Sequence, residues 1–338
     1  MITIDGAEGE GGGQVLRNAC ALSLVTGEPF VIENVRGGRE KPGLMRQHMT
    51  AIEAACAVGG AECEGLAMGS SRIEFRPGRV TPGDYAFSVG TAGSTGLVLQ
   101  TVLLPLALAD GPSTLTLEGG THAMMAPPFE FIARAFLPIV ERMGPKVTAK
   151  LVRHGFYPRG GGRIEIQIEP APLRRIDCLE RGAAVGHGAL ALVASLPGEI
   201  GVRLNQAARK QLPQWDESDF AIRELPADQG PGVVLLLEAA FEQVTEVVAS
   251  FGKLGVTAEK LGQIAGRRMA GYLVSRAFAG PYLQDQLLLP FALAGGGAFT
   301  SVKPSEHTRT AAEVVARFTG RSVRFAELPG GEHRVEVR

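Results

Sequence analysis

The chain reads as an α/β (α+β) protein in which one βαβαββ unit is used three times, and three observations predict it. A small-residue loop opens directly into a helix-forming stretch at Gly6 to Val25, at Gly90 to Ala109 and again from Gly280 to Ala294. Each helix is followed by a short strand pattern, a polar loop and a second helix starting close to proline. Paired strand patterns then close the unit. Self-similarity of this kind is settled before any single element is assigned, because it fixes the architecture. The units run about 1–80, 84–170 and 280–338.

Taken in order, Ile2 to Ile4 is a strand, the Gly6 to Arg17 stretch a glycine loop, and Gln14 to Val25 an amphipathic helix. Phe30 to Glu33 is the second strand, Arg36-Gly-Gly-Arg39 the polar loop, and Pro42 stands before the next helix; Ile73 to Phe75 belongs to the closing pair. In the second unit Tyr85 to Val89 alternates as a strand, and Leu97 to Ala109 is an apolar helix carrying the single amide Gln100. Thr114 to Leu117 follows, then Gly119-Gly-Thr-His122 and Pro127-Pro128, with Val147 to Leu151 and Arg163 to Ile168 as the closing pair. The third unit begins at Gly280 with no opening strand; its elements are the helix Tyr282 to Ala294, the strand Ala298 to Val302, the loop Lys303 to His307 and the strand Arg334 to Val337. The stretch from about Gly182 to Phe278 does not fit the unit. Strands at Ala189 to Ala194, Val233 to Leu237 and Glu246 to Ser250, a helix after Pro197 and a long helix Ala258 to Phe278 describe a small α/β domain inserted before the third unit. The domain division is therefore 1–181 with 279–338, and 182–278. Asp228-Gln-Gly-Pro-Gly232 reads as turn chemistry.

With 338 residues the chain can bury a core large enough to be stable without staples. Its net charge of −1 gives no whole-molecule attraction to nucleic acid, so such binding needs a local patch. The four cysteines form no CxxC pair and read as reduced, mostly buried thiols; with no signal peptide and no apolar run long enough for a bilayer, a cytoplasmic protein is expected.

A strand, glycine loop and helix in succession place N–H groups and a positive helix end where a phosphate can sit. Neither common phosphate loop fits: no Lys-Ser/Thr follows Gly11 to Gly13, and the dinucleotide spacing would need glycine at Gln14. Arg17, Arg36, Arg39, Lys41 and Arg46 supply planar and point donors suited to phosphate oxygens. Glu10 in the loop is either a solvated glutamate or a ligand to Mg²⁺ held against a phosphate. His48, on the stripe Leu44, His48, Ile52, Cys56, reads as a packed core residue, Gln100 needs a hydrogen-bond partner, and His122 reads as an exposed loop residue. Three glycines after Pro158-Arg159 imply a backbone that something approaches closely. His307 opens a helix behind Ser305, a plausible N-cap; there the helix end favours the neutral, nucleophilic imidazole, which is already roughly three quarters populated at pH 7.

Gly9-Glu10-Gly-Gly-Gly-Gln-Val-Leu-Arg17, Arg36 to His48, His154-Gly-Phe-Tyr-Pro-Arg-Gly-Gly-Gly162, Tyr282-Leu-Gln-Asp-Gln286 and Pro304-Ser-Glu-His307, in this order, resemble the RNA 3'-terminal phosphate cyclase family. The resemblance implies repeats like the C-terminal domain of a translation initiation factor, with a small domain inserted before the third. It also implies an ATP-dependent enzyme that turns an RNA 3'-phosphate end into a 2',3'-cyclic phosphodiester through a histidinyl-AMP and an RNA-adenylate, releasing pyrophosphate and AMP. By matching position His307 is the nucleophile; Gln100, Pro127, Tyr282, Leu283, Gln284, Asp285 and Gln286 form the ATP pocket; Arg17, Arg36, Arg39 and Gln47 hold the RNA phosphate; and Glu10 is the ligand for Mg²⁺ or Mn²⁺. Two other readings are a catalytically silent ribosome-assembly homologue, which would lack the nucleophile, and an enolpyruvyl-transferase-like enzyme, which would need neither His307 nor the His154 to Gly162 loop. The implied partners are RNA 3'-phosphate ends and ATP, with no membrane, and monomer and homodimer both remain open.

Overall fold

The computed structural model describes residues 1–9 and 12–338, so Glu10, expected as a metal ligand, lies outside the described residues. The first unit comprises β1 (Ile2–Asp5), α1 (Gly13–Thr26), β2 (Phe30–Glu33), α2 (Arg46–Gly59), β3 (Glu62–Glu64) and β4 (Ile73–Arg76). Its sheet order is β1-β2-β4-β3, with β1 parallel to β2 and the remaining pairs antiparallel. Helix α1 stops at Gly27, whose φ of 77° is the left-handed cap conformation that glycine adopts without a Cβ penalty.

The second unit contains β5 (Asp84–Ser88), α3 (Thr95–Ala107), β6 (Ser113–Gly119), α4 (Phe129–Phe131), a π-helical turn (Ile132–Phe136), α5 (Leu137–Arg142), β7 (Lys146–Arg153) and β8 (Gly162–Glu169). Its sheet, β5-β6-β8-β7, repeats the order and directions of the first. After it comes β9 (Asp177–Cys178), and then β10 (Ala184–Ala194), α6 (Glu199–Arg209), β11 (Phe220–Leu225), β12 (Gly232–Phe241), β13 (Thr245–Phe251) and α7 (Ala258–Val274). The chain closes with α8 (Leu283–Leu293), β14 (Gly297–Ser301), α9 (Glu306–Thr319), β15 (Val323–Glu327) and β16 (His333–Val337).

The opening strand that the third unit lacks in sequence is β9. It runs parallel to β14 through Asp177 and Cys178, giving the sheet order β9-β14-β16-β15. The chain thus leaves the third unit after its first strand and returns to it at α8. A strand of two residues carries too little alternation to be read as one. The fourth sheet, β11-β10-β12-β13, is packed by α6 and α7 around its own buried cluster, which includes Leu204, Trp215, Leu235 and Met269.

Helix α7 ends at Val274, short of the predicted Phe278. Ser275 is extended, and the Arg181 guanidinium donates to the carbonyls of Tyr272 and Leu273, satisfying the helix end from outside. Residues 275–278 then carry the chain to Ala279, which bridges to Ser301.

One apolar core runs through all three units, and α1, α3 and α8 meet in it through Val15, Leu16, Val98, Val102, Leu287 and Leu288 among others. Helix α3 is buried nearly all round, which is why its sequence has no polar face to interrupt the apolar run. The His154 to Gly162 loop docks on the fourth sheet: Phe156 packs with Leu192, Ala194, Val234 and Leu236. What approaches its glycines is their own neighbourhood, since a Cβ on Gly155 would strike Gly162 and the Gly119 carbonyl. Among the described residues no helix is long and apolar enough to cross a membrane.

Candidate active site

The first helices of the three units present their N-terminal halves to one another, and a cleft opens between them. Asn18 of α1, Gln100, Leu103 and Leu104 of α3, Phe136, and Asp285, Gln286 and Leu289 of α8 line it. The partner that the lone amide Gln100 requires is Gln286: Gln100 Nε2 donates to Gln286 Oε1. Asn18 Nδ2 is buried with no hydrogen-bond partner among the described residues, a donor available to something that enters the cleft.

His307 stands half-buried near this cleft, in the first turn of α9, where the Ser305 hydroxyl accepts the Thr308 N–H at 3.2 Å as the expected cap. Its Nδ1 lies 3.3 Å from Gln14 Oε1, and Gln14 Nε2 donates to Asp285 Oδ2 at 2.6 Å. The carboxylate accepts, so the Gln14 amide nitrogen faces Asp285 and the amide oxygen faces His307. An oxygen there accepts a proton held on Nδ1, which leaves the lone pair on Nε2. Gln286 Nε2 donates to the same Asp285 oxygen at 3.2 Å. Burial pushes the Asp285 carboxyl up to about 7 against these donors and the nearby Arg17 charge, while burial draws Arg17 down to about 10. Arg17 remains a cation.

A second group of donors gathers at the start of α1. Gly12 lies against the Arg39 guanidinium, where a Cβ would come within 2.7 Å of a guanidinium nitrogen, and a Cβ on Gly13 would meet His48 Nε2 at 2.5 Å and Arg17 at 3.0 Å. Those glycines let two arginines and an imidazole close over the helix end. His48 is a core residue, as its stripe predicts, at 3% exposure. Its Nδ1 accepts the Met45 N–H at 3.1 Å, so the neutral ring carries its proton on Nε2, beside Gly13. Burial, then Arg17 and Arg36, hold its pKa down to about 3. A neutral donor and a positive helix end suit an anion. Gln47 reaches the second glycine loop, with its side chain against Gly93.

The remaining expected residues take different places. Arg36 Nη1 donates to the carbonyls of Lys41 and Gly43 at 2.7 and 2.8 Å and so holds its own loop. The Pro127 carbonyl lies over Gly96 at the start of α3. Tyr282 is exposed with Arg268 over its ring, whereas Leu283 and Gln284 are wholly buried, backbone and side chain alike, and do not line the cleft. His122, expected to be exposed, is instead buried, because the loop after β6 folds back under Phe156 and Glu130. Gln14, Asn18 and the donor face of His48 were not assigned from sequence; the only signal was a polar residue in an otherwise apolar helix turn.

Three helix starts from three copies of one unit, converging on an amide-lined cleft and an arginine-rich helix end, define a repeat-built α/β protein whose donors are of the kind that suits an anion. The chain matches the profile of the RNA 3'-terminal phosphate cyclase family over residues 8–325. It is 49% identical over 328 residues to the RNA 3'-terminal phosphate cyclase of Koribacter versatilis (97% of this chain, 92% of that protein) and 47% identical over 319 residues to that of Ralstonia nicotianae (94% and 91%). With the Ectopseudomonas mendocina cyclase the identity is 44% over 338 residues, covering 100% of this chain and 98% of the other. The chain belongs to the RNA 3'-terminal phosphate cyclase family, a family of enzymes of the ligase type.

Proposed function

We propose that this protein converts RNA 3'-terminal phosphates to 2',3'-cyclic phosphodiesters at the expense of ATP, by way of a covalent adenylate on His307. The observation that carries this reading is the amide of Gln14, held between Asp285 and His307 with its oxygen toward Nδ1. That arrangement puts the proton on Nδ1 and the lone pair on Nε2, which attacks the α-phosphorus of ATP: an N–P bond forms, the α–β bridging P–O bond breaks, and pyrophosphate leaves. A terminal phosphate oxygen of the RNA then attacks the adenylate phosphorus, displaces the imidazole and becomes an anhydride. The neighbouring 2'-hydroxyl finally attacks the 3'-phosphorus, gives up its proton and expels AMP, a closure favoured by proximity.

In this reading Gln100, Asp285 and Gln286, with Pro127 and Tyr282, surround the nucleotide, Leu283 and Gln284 pack behind them, and the Asn18 amide, without a partner among the described residues, adds a contact. Arg17, Arg39 and Gln47 receive the terminal phosphate, with Arg36 shaping their loop. Glu10 is the proposed ligand for Mg²⁺ or Mn²⁺. We also propose the division into 1–181 with 279–338 and 182–278, and a cytoplasmic setting.

Incubation with α-labelled ATP and a divalent metal, followed by denaturing electrophoresis, tests the reading. The expected result is an acid-labile, alkali-stable adduct absent from His307→Ala. Folded wild-type protein that forms no adduct would overturn it and favour a silent RNA-binding homologue.

A further inference from the structure

Away from the cleft, the loop after β6, the start of α4 and the glycine-rich loop bring together two imidazoles and a carboxylate. His122 Nε2 lies 2.8 Å from Glu130 Oε2, and one ligand-capable atom from each of His122, Glu130 and His154 falls within 4.8 Å of the others. The reaction above uses none of them. The second nitrogen of each ring is already engaged, His122 Nδ1 by Thr121 Oγ1 at 2.8 Å and His154 Nδ1 by Gln229 Oε1 at 3.0 Å. Gln229 Oε1 also accepts the His154 backbone N–H at 3.0 Å, so it is fixed as an acceptor and His154 Nδ1 as the protonated nitrogen. His154 Nε2 is left with its lone pair. A histidine whose far N–H is tied to a side-chain or backbone oxygen is the arrangement that orients metal-binding imidazoles.

We propose that His122, Glu130 and His154 bind one divalent transition-metal ion, at a site separate from any metal that accompanies ATP. Two imidazole nitrogens and a carboxylate oxygen suit Zn²⁺, whereas Mg²⁺ prefers an all-oxygen shell. Binding displaces the proton between His122 Nε2 and Glu130. That proton moves to Nδ1, where the Thr121 hydroxyl turns from donor to acceptor, and the carboxylate stays ionised. The two rings are stacked, with centroids 5.2 Å apart and 26° between planes, so binding also turns the His154 ring until its Nε2 points at the shared ion. Because Gln229 comes from the segment of the fourth sheet, the ion would tighten the seam at which Phe156 docks.

The test is equilibrium dialysis of the full, EDTA-treated chain against Zn²⁺, with bound metal counted by mass spectrometry and thermal unfolding recorded alongside. The expected result is one Zn²⁺ per chain with a raised unfolding temperature, both lost in His154→Ala, and an affinity lowered about tenfold or more in Gln229→Ala. Both substitutions fall at half-buried positions, and their metal-free unfolding temperatures establish that the variants fold. Wild-type protein that binds no Zn²⁺ saturably overturns the proposal, and so does Zn²⁺ retained in full by His154→Ala, which would place it on the thiols. The readout is bound metal, so the outcome is independent of cyclase activity.

Discussion

Gln14 Nε2 donates to Asp285 Oδ2 at 2.6 Å, a bond between side chains 271 positions apart that brings the first helices of the first and third units into one site. The bond sets which way the Gln14 amide faces, and through it the tautomer of His307. Gln14→Ala should therefore slow enzyme adenylylation on the order of 10²-fold, the scale of a misplaced proton-transfer partner, with the fold unchanged by circular dichroism. A rate within twofold of wild type would mean that the His307 tautomer is set elsewhere.

The Asp285 carboxyl titrates near 7 because it is buried. Below that pH it is protonated, its accepting oxygen no longer holds Gln14 in one orientation, and single-turnover adenylylation should fall as pH drops through about 7. Asp285→Asn carries no such proton, so its profile should be slower and lose the Asp285 contribution, keeping only the fall that protonation of the His307 nucleophile itself imposes. An identical acid limb in both proteins assigns the limb to another group.

Gly13 admits His48 and Arg17 to the start of α1, and alanine there would force both aside. Alanine is favoured in a helix, which offsets only part of the clash with the buried His48, so stability should fall by about 1–3 kcal/mol while the protein still folds. Gly13→Ala should leave labelling by ATP alone nearly intact while raising the KM for RNA 3'-phosphate ends at least about tenfold, the effect of losing a charge-assisted hydrogen bond. Equal loss of both steps would show that the two sites are not separable.

Glu246 of β13 is wholly buried against Gly280, whose N–H lies near enough to favour the charged form, but among the described residues neither carboxyl oxygen completes a well-formed hydrogen bond. Burial pushes its pKa up to about 8, so the folded chain keeps a proton that the unfolded chain releases near 4.5. Stability from this group is present at low pH and is lost as pH rises from about 4.5 through about 8, a cost of several kcal/mol in full. Glu246→Gln should unfold at nearly the same temperature as wild type at about pH 5 and at a clearly higher one at about pH 8. Parallel curves for the two proteins would show that the carboxyl is solvated.

The repeat was legible because each unit writes its own loop, helix and proline in order, and local periodicity is enough to see them. Strand β2, read as Phe30 to Glu33, has those bounds in the structure. Strand β9 was not legible: two residues have no period, and only the parallel partner β14 makes them a strand. The end of α7 was missed for a related reason, since Arg181 stops it from 91 residues away. At the site, His307 and the polar run Tyr282 to Gln286 stood out as polar residues at a helix start. His122 was misjudged because its surroundings, Glu130 and Phe156, arrive from other loops.

By itself the sequence determined the unit, its threefold use, the donors available and the family those donors belong to, since residue type and short-range spacing are properties of the chain. Only the tertiary structure decided what each donor meets. Whether Gln14 faces Asp285, whether His48 carries its proton on Nε2, and whether Glu246 is ionised all depend on burial and on partners from distant segments. Desolvation and hydrogen-bond geometry exist only once those segments have packed.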